Sequence, residues 1–528
     1  MNKTEIREYV RSLSDEELCA EVLCWQLRDD MTDSELGEFI KKNKASSFFV
    51  SSKYTPERIK YIKGLMNAAA PSPCLVAADV ERGPIIHKEL SDYSVSMMNL
   101  AAANDPFLAF DVGKYTARVT RALGVHLTFS PVVDINYNPL NPVTNTRAAA
   151  DTVEGVLSSA VQYGRGMRSE GRIAIVPKHF PGDGMDDKNQ HFCTTVNSLS
   201  REEWMESYGR IYKEVIADGA EAIMVAHIAL PWYDPTVDEC GHMPATLSKP
   251  LMTGLLKGEL GFDGCIVSDA MSMIGTAARV PVERLSIEFL RAGGDLVLFP
   301  EKDDHERILS ALRSGYIERE RLLDAAERVV GLKARLGLFE EREYPIEGDD
   351  IRKTCELLSL VAKKSVTKLR DVDGILPLKL KRGARVLAVS LTPSAKDAEC
   401  DDFPTLANEL EARGYEVIRM TNPSHYRIDE VIETVDAVFV SSYIDTLNCS
   451  GSSLRLGWNN LMAFWRGYIF KCKNLVFISF GDPYKLTELP FIKTYVNAYI
   501  KSDASVKAAV AACLGEEEIT GVSPVKAI

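Results

Sequence analysis

Residues 173–191 read IAIVPKHFPGDGMDDKNQH, an apolar run that becomes a polar loop at Lys178 and His179. A continuous apolar run, without polar alternation, indicates a strand that is buried on both faces, as in a parallel sheet. The PGDG segment that follows is typical of a turn, because glycine and aspartate favour turn conformations. The stretch therefore predicts a buried parallel strand whose carboxyl end carries a lysine and a histidine.

Similar apolar runs recur through the first 340 residues, and amphipathic helical segments separate them. The other runs are SSFFVSS (46–52), PCLVAADVE (73–81), VHLTFSPVVDI (125–135), AEAIMVAHIAL (220–230), GCIVSDAM (264–271) and GGDLVLFP (293–300). Seven strand and helix units in about 300 residues are typical of a (β/α) barrel. We therefore predict an α/β fold with a (β/α)8-type TIM barrel, either regular or with one irregular unit.

Polar residues end most of these runs. In a (β/α) barrel the carboxyl ends of the strands face one rim, so side chains at the strand ends converge on one site. Each residue alone could instead cap a helix, but a series at successive strand ends favours a site. The residues concerned are Asp79, Glu81, Asp134, Lys178, His179, His227 and Asp269.

The remaining chain predicts a second, smaller unit. The charged segment LFEEREYPIEGDD (338–350) indicates a linker, and apolar runs such as RVLAVSLT and NLVFISFGDP then alternate with helical segments. We predict a barrel domain over 1–340, a linker and helix over 341–370, and an α/β sandwich domain over 371–528 with helices on both faces of an open sheet. The second unit contains no phosphate-binding glycine motif.

Composition excludes several classes of function. The net charge of the 528 residues is −13 and the pI is near 5.3, so we expect no nucleic-acid partner. The first residues carry charges where a signal peptide needs an apolar core, and no run of eighteen apolar residues follows. Eleven cysteines without a repeated spacing indicate reduced thiols. We expect a cytoplasmic protein with no membrane partner; the oligomeric state stays open.

The polar loop also offers oxygen donors for a metal ion, at Asp183, Asp186, Asp187 and Asn189. Their spacing lacks the central glycine and closing glutamate of a calcium-binding EF-hand, and the two histidines lack the HExxH spacing of zinc enzymes. We therefore predict no metal and no cofactor.

A second motif, GFDGCIVSDAMSM (261–273), places Asp269 directly after an apolar strand. Its small neighbours Ser268 and Ala270 leave room for a bulky group to approach the carboxylate. A carboxylate in this position can attack an anomeric carbon once the leaving oxygen is protonated. A helix N-cap is the alternative explanation for Asp269 taken alone.

Taken together, these motifs resemble the family-3 glycoside hydrolases, and among them the β-N-acetylhexosaminidase type. The resemblance covers nearly the whole chain. It rests on FSPVVDINYNPLNPVTNTR, the KHFPGDG loop with its downstream histidine, MVAHIALP followed by PATLS, GELGFDGCIVSDAMSM and AGGDLVLFP, in the order of the family. One departure concerns DVERGPIIH (79–87), where His87 stands in the place of a second arginine of the family's hexosaminidases; it leaves the substrate details open.

The resemblance implies roles for individual residues. Asp269 is similar to the nucleophile that forms a covalent glycosyl-enzyme, and His191 is similar to the general acid/base, which suits an imidazole titrating near pH ~6.5. Asp79, Arg147, Lys178 and His179 match positions that hold the sugar. The strand-end residues Asp134 and His227 complete our set of candidate substrate-binding residues.

Asn189 is the larger departure, because the family typically has aspartate two residues before the catalytic histidine. The amide carbonyl can accept a hydrogen bond from the ring but carries no charge, and the amide N–H₂ face would hold the wrong tautomer. In serine proteases the equivalent change costs about 10⁴-fold in rate. Three explanations stay open: Asp186 or Asp187 takes over the role, the enzyme is weak by nature, or the asparagine was introduced to slow turnover.

The function that the resemblance implies is a retaining exo-β-N-acetylglucosaminidase acting on saccharides that contain N-acetylglucosamine, from peptidoglycan, chitin or glycoconjugates. Two alternatives involve related chemistry. One is a phosphorylase, because a histidine repels phosphate less than a carboxylate does, and the other is a β-glucosidase. A hypothesis from another class is a catalytically impaired glycan-binding protein.

Overall fold

The computed structural model describes residues 1–50, 53–84, 88–277, 279–340, 342, 344–392, 404–443 and 456–527. His87 lies outside these residues. Within them, no helix is long and apolar enough to cross a membrane.

The described residues of the first part of the chain contain twelve strands. They are β1 (Leu23–Gln26), β2 (Ser47–Phe49), β3 (Leu75–Ala78), β4 (Leu127–Thr128), β5 (Ala174–Ile175), β6 (Thr195–Val196), β7 (Ala222–Val225), β8 (Ile228–Ala229), β9 (Val237–Asp238), β10 (Gly241–His242), β11 (Cys265–Ser268) and β12 (Val297–Leu298).

Eight of these strands form a ring of parallel neighbours. One sheet has the order β12-β1-β2-β3-β4-β5, and β7 pairs with β11. A bridge between Phe180 and Val225 joins the extension of β5 to β7, and one between Val267 and Leu296 joins β11 to β12. Alternate residues, such as Leu75 and Ala77 in β3, fill the interior of the ring. Their neighbours pack outward against helices, so the strands are buried on both faces, as predicted.

The helices of this part surround the ring. They are α1 (Lys3–Ser12), α2 (Asp15–Glu21), α3 (Asp33–Asn43), α4 (Pro56–Ala69), α5 (Met97–Ala102), α6 (Pro106–Ala122), α7 (Val153–Val156), α8 (Gln162–Arg168), α9 (Arg201–Glu206), α10 (Tyr208–Ala217), α11 (Ile274–Ala277), α12 (Val282–Ala292), α13 (Asp304–Arg313) and α14 (Arg319–Arg335). In the part of the chain that the structure describes, Leu157–Val161 and Pro250–Glu259 are π-helical. Capping boxes fix the starts of α1, α2, α3 and α9, since a side chain of Asn, Ser or Thr and a Glu three residues later satisfy the free amides.

The second part contains one sheet between two layers of helices. Its strands are β13 (Thr367–Asp371), β14 (Arg385–Leu391), β15 (Glu416–Thr421), β16 (Ala437–Ser442), β17 (Leu475–Ser479) and β18 (Thr494–Asn497). Its helices are α15 (Gly348–Ser365), α16 (Pro404–Ala412), α17 (His425–Asp429), α18 (Trp458–Leu461), α19 (Lys485–Glu488) and α20 (Asp503–Leu514). The strand order is β13-β18-β17-β16-β14-β15, and only β13 is antiparallel to its neighbour. Separate apolar clusters cover the two faces.

The fold prediction is confirmed in class, and the structure adds elements that the patterns did not reveal. Strand β1 supplies the eighth member of the ring; its four residues lie in a helix-rich, charged terminus, where they give too short an apolar run to stand out. Strands β13 and β18 complete the second sheet. The division of the chain at residues 340 and 370 stays a prediction.

Candidate active site

The predicted site residues follow the strands of the ring at their carboxyl ends. Asp79 comes directly after β3, Lys178 and His179 lie just beyond β5, and Asp269 comes directly after β11. His227 lies between β7 and β8, and Asp134 lies two residues after the bridge that joins Val132 to Lys178. Parallel strands therefore bring these side chains to one rim, where the loop residues Arg147, Asn189 and His191 join them.

An ion-pair cluster forms one wall of the site, with Glu81 at its centre. Arg147 donates from Nε and Nη2 to the two carboxylate oxygens of Glu81, each at 2.8 Å. The Nζ atom of Lys178 lies 2.5 Å from Glu81 Oε1 and 3.0 Å from Asp79 Oδ1. Glu81, Arg147 and Lys178 are largely buried, whereas 53% of the Asp79 side chain is exposed. Asp79 is thus the carboxylate of this cluster that a substrate can reach.

The charges of this cluster hold one another in their ionised forms. Burial alone raises the pKa of Glu81, but Arg147 and Lys178 outweigh it and hold the pKa well below its usual range. Burial lowers the pKa of Lys178, but the carboxylates of Asp79 and Glu81 more than offset this and raise it. Glu81, Arg147 and Lys178 are therefore all charged at neutral pH.

His179 is oriented from both sides of its ring. Its Nδ1 atom lies 2.6 Å from Asp134 Oδ2, and its backbone N–H donates to Asp134 Oδ1 at 3.1 Å. Its Nε2 atom lies 3.2 Å from Nη2 of Arg147. Because a guanidinium only donates, Nε2 accepts and the ring proton lies on Nδ1, facing Asp134. Asp134 itself is fully buried, so it acts on the site through His179.

Asp269 is half-buried and is held as an anion. Its Oδ1 accepts the backbone N–H of Ala270 at 2.8 Å. Burial raises the pKa of Asp269, but His179, His227 and Lys178 outweigh burial and leave the pKa below its usual value. An ionised carboxylate is the state that a nucleophile requires.

His227 lies beside Asp269, and protein groups occupy both of its ring nitrogens. Its Nδ1 atom lies 3.0 Å from Thr246 Oγ1, and its Nε2 atom lies 3.2 Å from the carbonyl oxygen of Ala270. Since a carbonyl only accepts, Nε2 carries the proton. Burial, despite the opposing charge of Asp269, lowers the pKa of His227. These contacts suit a residue that positions the segment of Asp269, and the substrate contact expected of His227 stays a prediction.

Asn189 holds His191 through its carbonyl oxygen. The Oδ1 atom accepts the backbone N–H of His191 at 3.0 Å and lies 2.6 Å from its ring Nδ1. The backbone donor requires an oxygen at this position, so the amide is oriented with its carbonyl toward the ring and Nδ1 carries the proton. The opposite Nε2 is left available for proton exchange, the tautomer that an aspartate would also select.

The neighbouring aspartates of the loop have other contacts. Asp186 accepts the backbone N–H of Lys188 at 3.1 Å and that of Val196 at 3.0 Å, one at each carboxylate oxygen. Asp187 is exposed to solvent. The geometry therefore gives the partner role to Asn189 rather than to either aspartate.

Backbone contacts fasten the His191 loop to the segment that follows Asp269. The N–H of Ile274 donates to the carbonyl of His191 at 3.1 Å, and Thr194 Oγ1 donates to the carbonyl of Gly275 at 2.9 Å. Burial lowers the pKa of His191, and although Asp269 raises it, the net direction is down. His191 is thus largely neutral at pH 7, with Asp269 close enough to affect its charge.

Residues that the sequence did not single out organise the loops. Asn141 donates from its amide to Asp183 Oδ1 and to the carbonyl of Asp186, both at 2.8 Å. Asn136 donates to the carbonyl of Asn145 at 3.1 Å and to the hydroxyl of Tyr484, from the second part of the chain, at 2.9 Å. The one sequence signal is the density of asparagines in NYNPLNPVTNTR (136–147).

Comparison with known proteins gives a family and several relatives. The N-terminal domain of glycosyl hydrolase family 3 matches residues 23–332. A β-N-acetylglucosaminidase/β-glucosidase of Cellulomonas fimi is 31% identical over 485 residues, which cover 88% of this chain and 85% of that protein. A β-hexosaminidase of Nitrosospira multiformis is 30% identical over 270 residues, which cover 48% of this chain and 72% of that protein.

Solved structures resemble the whole chain. A β-glucoside phosphorylase, BglX, has a TM-score of 0.88 and 28% identity, and the match covers 100% of this chain and 96% of that one. A family-3 β-N-acetylglucosaminidase from Paenibacillus sp. str. FPU-7 has a TM-score of 0.83 and 24% identity, with 98% and 99% covered, which shows a shared fold.

Proposed function

This chain is a member of glycoside hydrolase family 3, a glycoside hydrolase by descent, and we propose that it acts as a retaining exo-β-N-acetylglucosaminidase. The observation that carries the proposal is the His191 loop. Asn189 holds the ring by Nδ1 and leaves Nε2 available, while the loop is bonded to the segment that follows Asp269. An acid/base and a nucleophile are thereby supported on adjoining segments.

The first half-reaction uses both residues. The Asp269 carboxylate attacks the anomeric carbon, the bond from that carbon to the leaving oxygen breaks, and Nε2–H of His191 gives its proton to that oxygen. The products are a glycosyl ester on Asp269 and a neutral imidazole. In the second half-reaction His191 takes a proton from water, the oxygen of that water bonds to the anomeric carbon, and Asp269 leaves with net retention of configuration.

The ion-pair cluster supports recognition of the sugar. Asp79 offers an exposed acceptor for a sugar hydroxyl, and Lys178 and Arg147 hold donors beside it. These donors are fixed by Glu81 before a substrate arrives, so little reorganisation accompanies binding.

A second candidate is phosphorolysis, in which phosphate replaces water in the second half-reaction. The observation that favours it is that Asn189 places a neutral amide, not a carboxylate, against His191. A phosphate dianion approaching the acid/base then meets one negative charge fewer. The structural relative named a β-glucoside phosphorylase is consistent with this candidate.

The test is steady-state turnover of an aryl β-N-acetylglucosaminide, with the aryl β-glucoside as the specificity control. A retaining mechanism predicts that NMR detects the β-anomer of the released sugar first. It also predicts that a fluorinated mechanism-based N-acetylglucosaminyl fluoride adds the mass of one sugar to the peptide that contains Asp269. Asp269→Ala should take up no label. Initial appearance of the α-anomer, or labelling elsewhere, would contradict the mechanism.

Phosphate separates the two candidates in the same assay. Accumulation of sugar 1-phosphate at millimolar phosphate supports phosphorolysis, and free sugar alone supports hydrolysis. Absence of turnover with both glycosides, together with absence of labelling, would instead favour a glycan-binding protein.

A further inference from the structure

A cavity lies at the opposite end of the barrel from the candidate active site. Its walls include residues that immediately precede β3, such as Ser72 and Cys74, and residues that precede β4, such as Gly124 and His126. These are the amino ends of the strands. The cavity has a volume of about 790 Å³, which falls within the roughly 300–1,000 Å³ of small-molecule sites.

Arg121, in the last turn of α6, lines this cavity as a buried cation. Only 5% of the residue is exposed, and its Nε and Nη1 atoms are buried without a hydrogen-bond partner. Its guanidinium carbon lies 4.9 Å from the centroid of the Tyr344 ring. Within the described ranges, no carboxylate forms an ion pair with Arg121. Burial accordingly lowers its pKa to about 10, against the opposing effect of Tyr344.

A buried guanidinium without a counter-ion is unusual, because leaving a charge uncompensated in the interior is costly. Arg172, which lies near the same tyrosine, provides a contrast. It also lies over the Tyr344 ring, at 5.4 Å, but its Nε pairs with Glu170 at 2.8 Å. Arg172 thus has an ion-pair partner, whereas the described residues provide none for Arg121, which lines the cavity.

The other polar groups of the cavity are mainly donors. His126 accepts the backbone N–H of Val76 at its Nδ1, so in the neutral ring Nε2 carries the proton. The described lining also contains the cationic side chains Lys60, Lys63 and Arg342, and a single acidic one, Glu57. The described side chains of the lining therefore carry a net positive charge, although Arg342 among them pairs with Glu340 at 2.5 Å.

We propose that this cavity binds the phosphate group of a small phosphorylated molecule, with Arg121 as the anchoring cation. A doubly charged tetrahedral oxyanion suits a lining with several cations and unused N–H donors. The space beyond the oxyanion accommodates the organic part of the ligand. This site is separate from the proposed sugar chemistry and does not depend on it.

Inorganic sulfate is the probe, because it mimics the phosphate group but cannot take part in phosphorolysis. Binding is measured by calorimetry on the full chain, with sodium chloride keeping the ionic strength constant. We expect one saturable site in the native chain, affinity roughly 10- to 100-fold weaker in Arg121→Met, and an intermediate loss in Arg121→Lys. Arg172→Met, the matched control, should bind as the native chain does.

Crystals soaked in selenate give the location independently, through the anomalous signal of selenium. We expect a peak within hydrogen-bond distance of the Arg121 guanidinium. Equal sulfate affinity in the native chain and Arg121→Met, or a selenate peak only at the sugar site, would overturn the proposal.

Discussion

Replacing Asn189 by aspartate tests the proposed acid/base directly. The side chains are nearly equal in size, so Asn189→Asp keeps the 2.6 Å contact with Nδ1 of His191 and adds a negative charge. The charge stabilises the imidazolium that carries the proton for the leaving group. We therefore expect the pKa of His191, which burial holds below 6.5 in the native chain, to rise.

The geometry gives the size of this rise. With charge centres about 4 Å apart and an effective dielectric constant of about 20 to 40 at a partly exposed site, the attraction is about 2–4 kcal/mol. This corresponds to a rise of about 1.5–3 pH units in the pKa of His191. The native chain, whose acid form exists mainly below its lowered pKa, should lose glycosylation rate as the pH rises from 5 to 8. Asn189→Asp should keep that rate over most of this range.

The assay compares kcat/KM of the two chains for aryl β-N-acetylglucosaminides across pH 5 to 8. A substrate with a poor leaving group, such as phenol, needs protonation, whereas dinitrophenol leaves without it. At pH 8 we expect Asn189→Asp to gain roughly 10- to 1,000-fold on the phenyl glycoside and much less on the dinitrophenyl glycoside. Equal pH profiles, or equal gains on both substrates, would refute the role of His191 as the acid.

Two further predictions concern buried charges. Glu81→Gln leaves Arg147 and Lys178 without their shared carboxylate and should lower the free energy of unfolding by about 3–5 kcal/mol. Asp79→Asn should change the free energy of unfolding by less than about 1 kcal/mol but lower kcat/KM roughly 10- to 100-fold. Urea titration and steady-state kinetics measure the two effects, and similar stability losses in both variants would contradict the assignment. Burial and the nearby charge of Asp134 raise the pKa of Asp183 from 3.8 to about 6. The folded state therefore holds this proton more tightly than the unfolded state. The free energy of unfolding should fall by about 3 kcal/mol in total as the pH rises through the range between these two pKa values. Asp183→Asn should remove that loss between pH 4 and pH 7 in urea titrations, and an unchanged pH dependence would exclude the carboxyl as its source.

The sequence was most informative where burial alone determines the pattern. Both faces of a parallel strand contact protein, so runs such as IAIV and GCIV stand out, and the strand direction then brings Lys178 and Asp269 to one rim. The pattern does not predict strand β1, because its apolar run is short. The fold class followed from the same patterns.

The sequence was least informative about which side chains pair with each other. Glu81 was visible as a strand-end carboxylate, but its bidentate contact with Arg147 depends on how residues 136–147 return to the rim. His227 was visible in the same way, yet the structure engages both of its ring nitrogens within the protein. The orientation of the Asn189 amide is fixed by the backbone N–H of His191, which donates to its carbonyl oxygen, and no residue pattern predicts this contact.

The charges around His191 explain how an asparagine can serve at this position. Burial is the main cause that lowers the pKa of His191; Asp269 raises this pKa, and Arg147, His179 and His227 lower it further. Because Asn189 is neutral, the negative charge of Asp269 is the one that favours protonation of His191 at Nε2. This charge disappears when Asp269 forms the glycosyl ester. The imidazole of the glycosyl-enzyme is then a neutral base, beside an amide rather than a carboxylate, and an incoming anion meets less repulsion. Asn189 should therefore slow glycosylation, which needs an acid. It should leave deglycosylation comparatively fast, whether His191 acts as a base on water or phosphate is the acceptor. The test is to measure azide and phosphate as acceptors in the native chain and in Asn189→Asp. The ratio of the rate of transfer to these anions to the rate of hydrolysis should fall in the aspartate variant. An unchanged ratio would show that the amide has no influence on the acceptor.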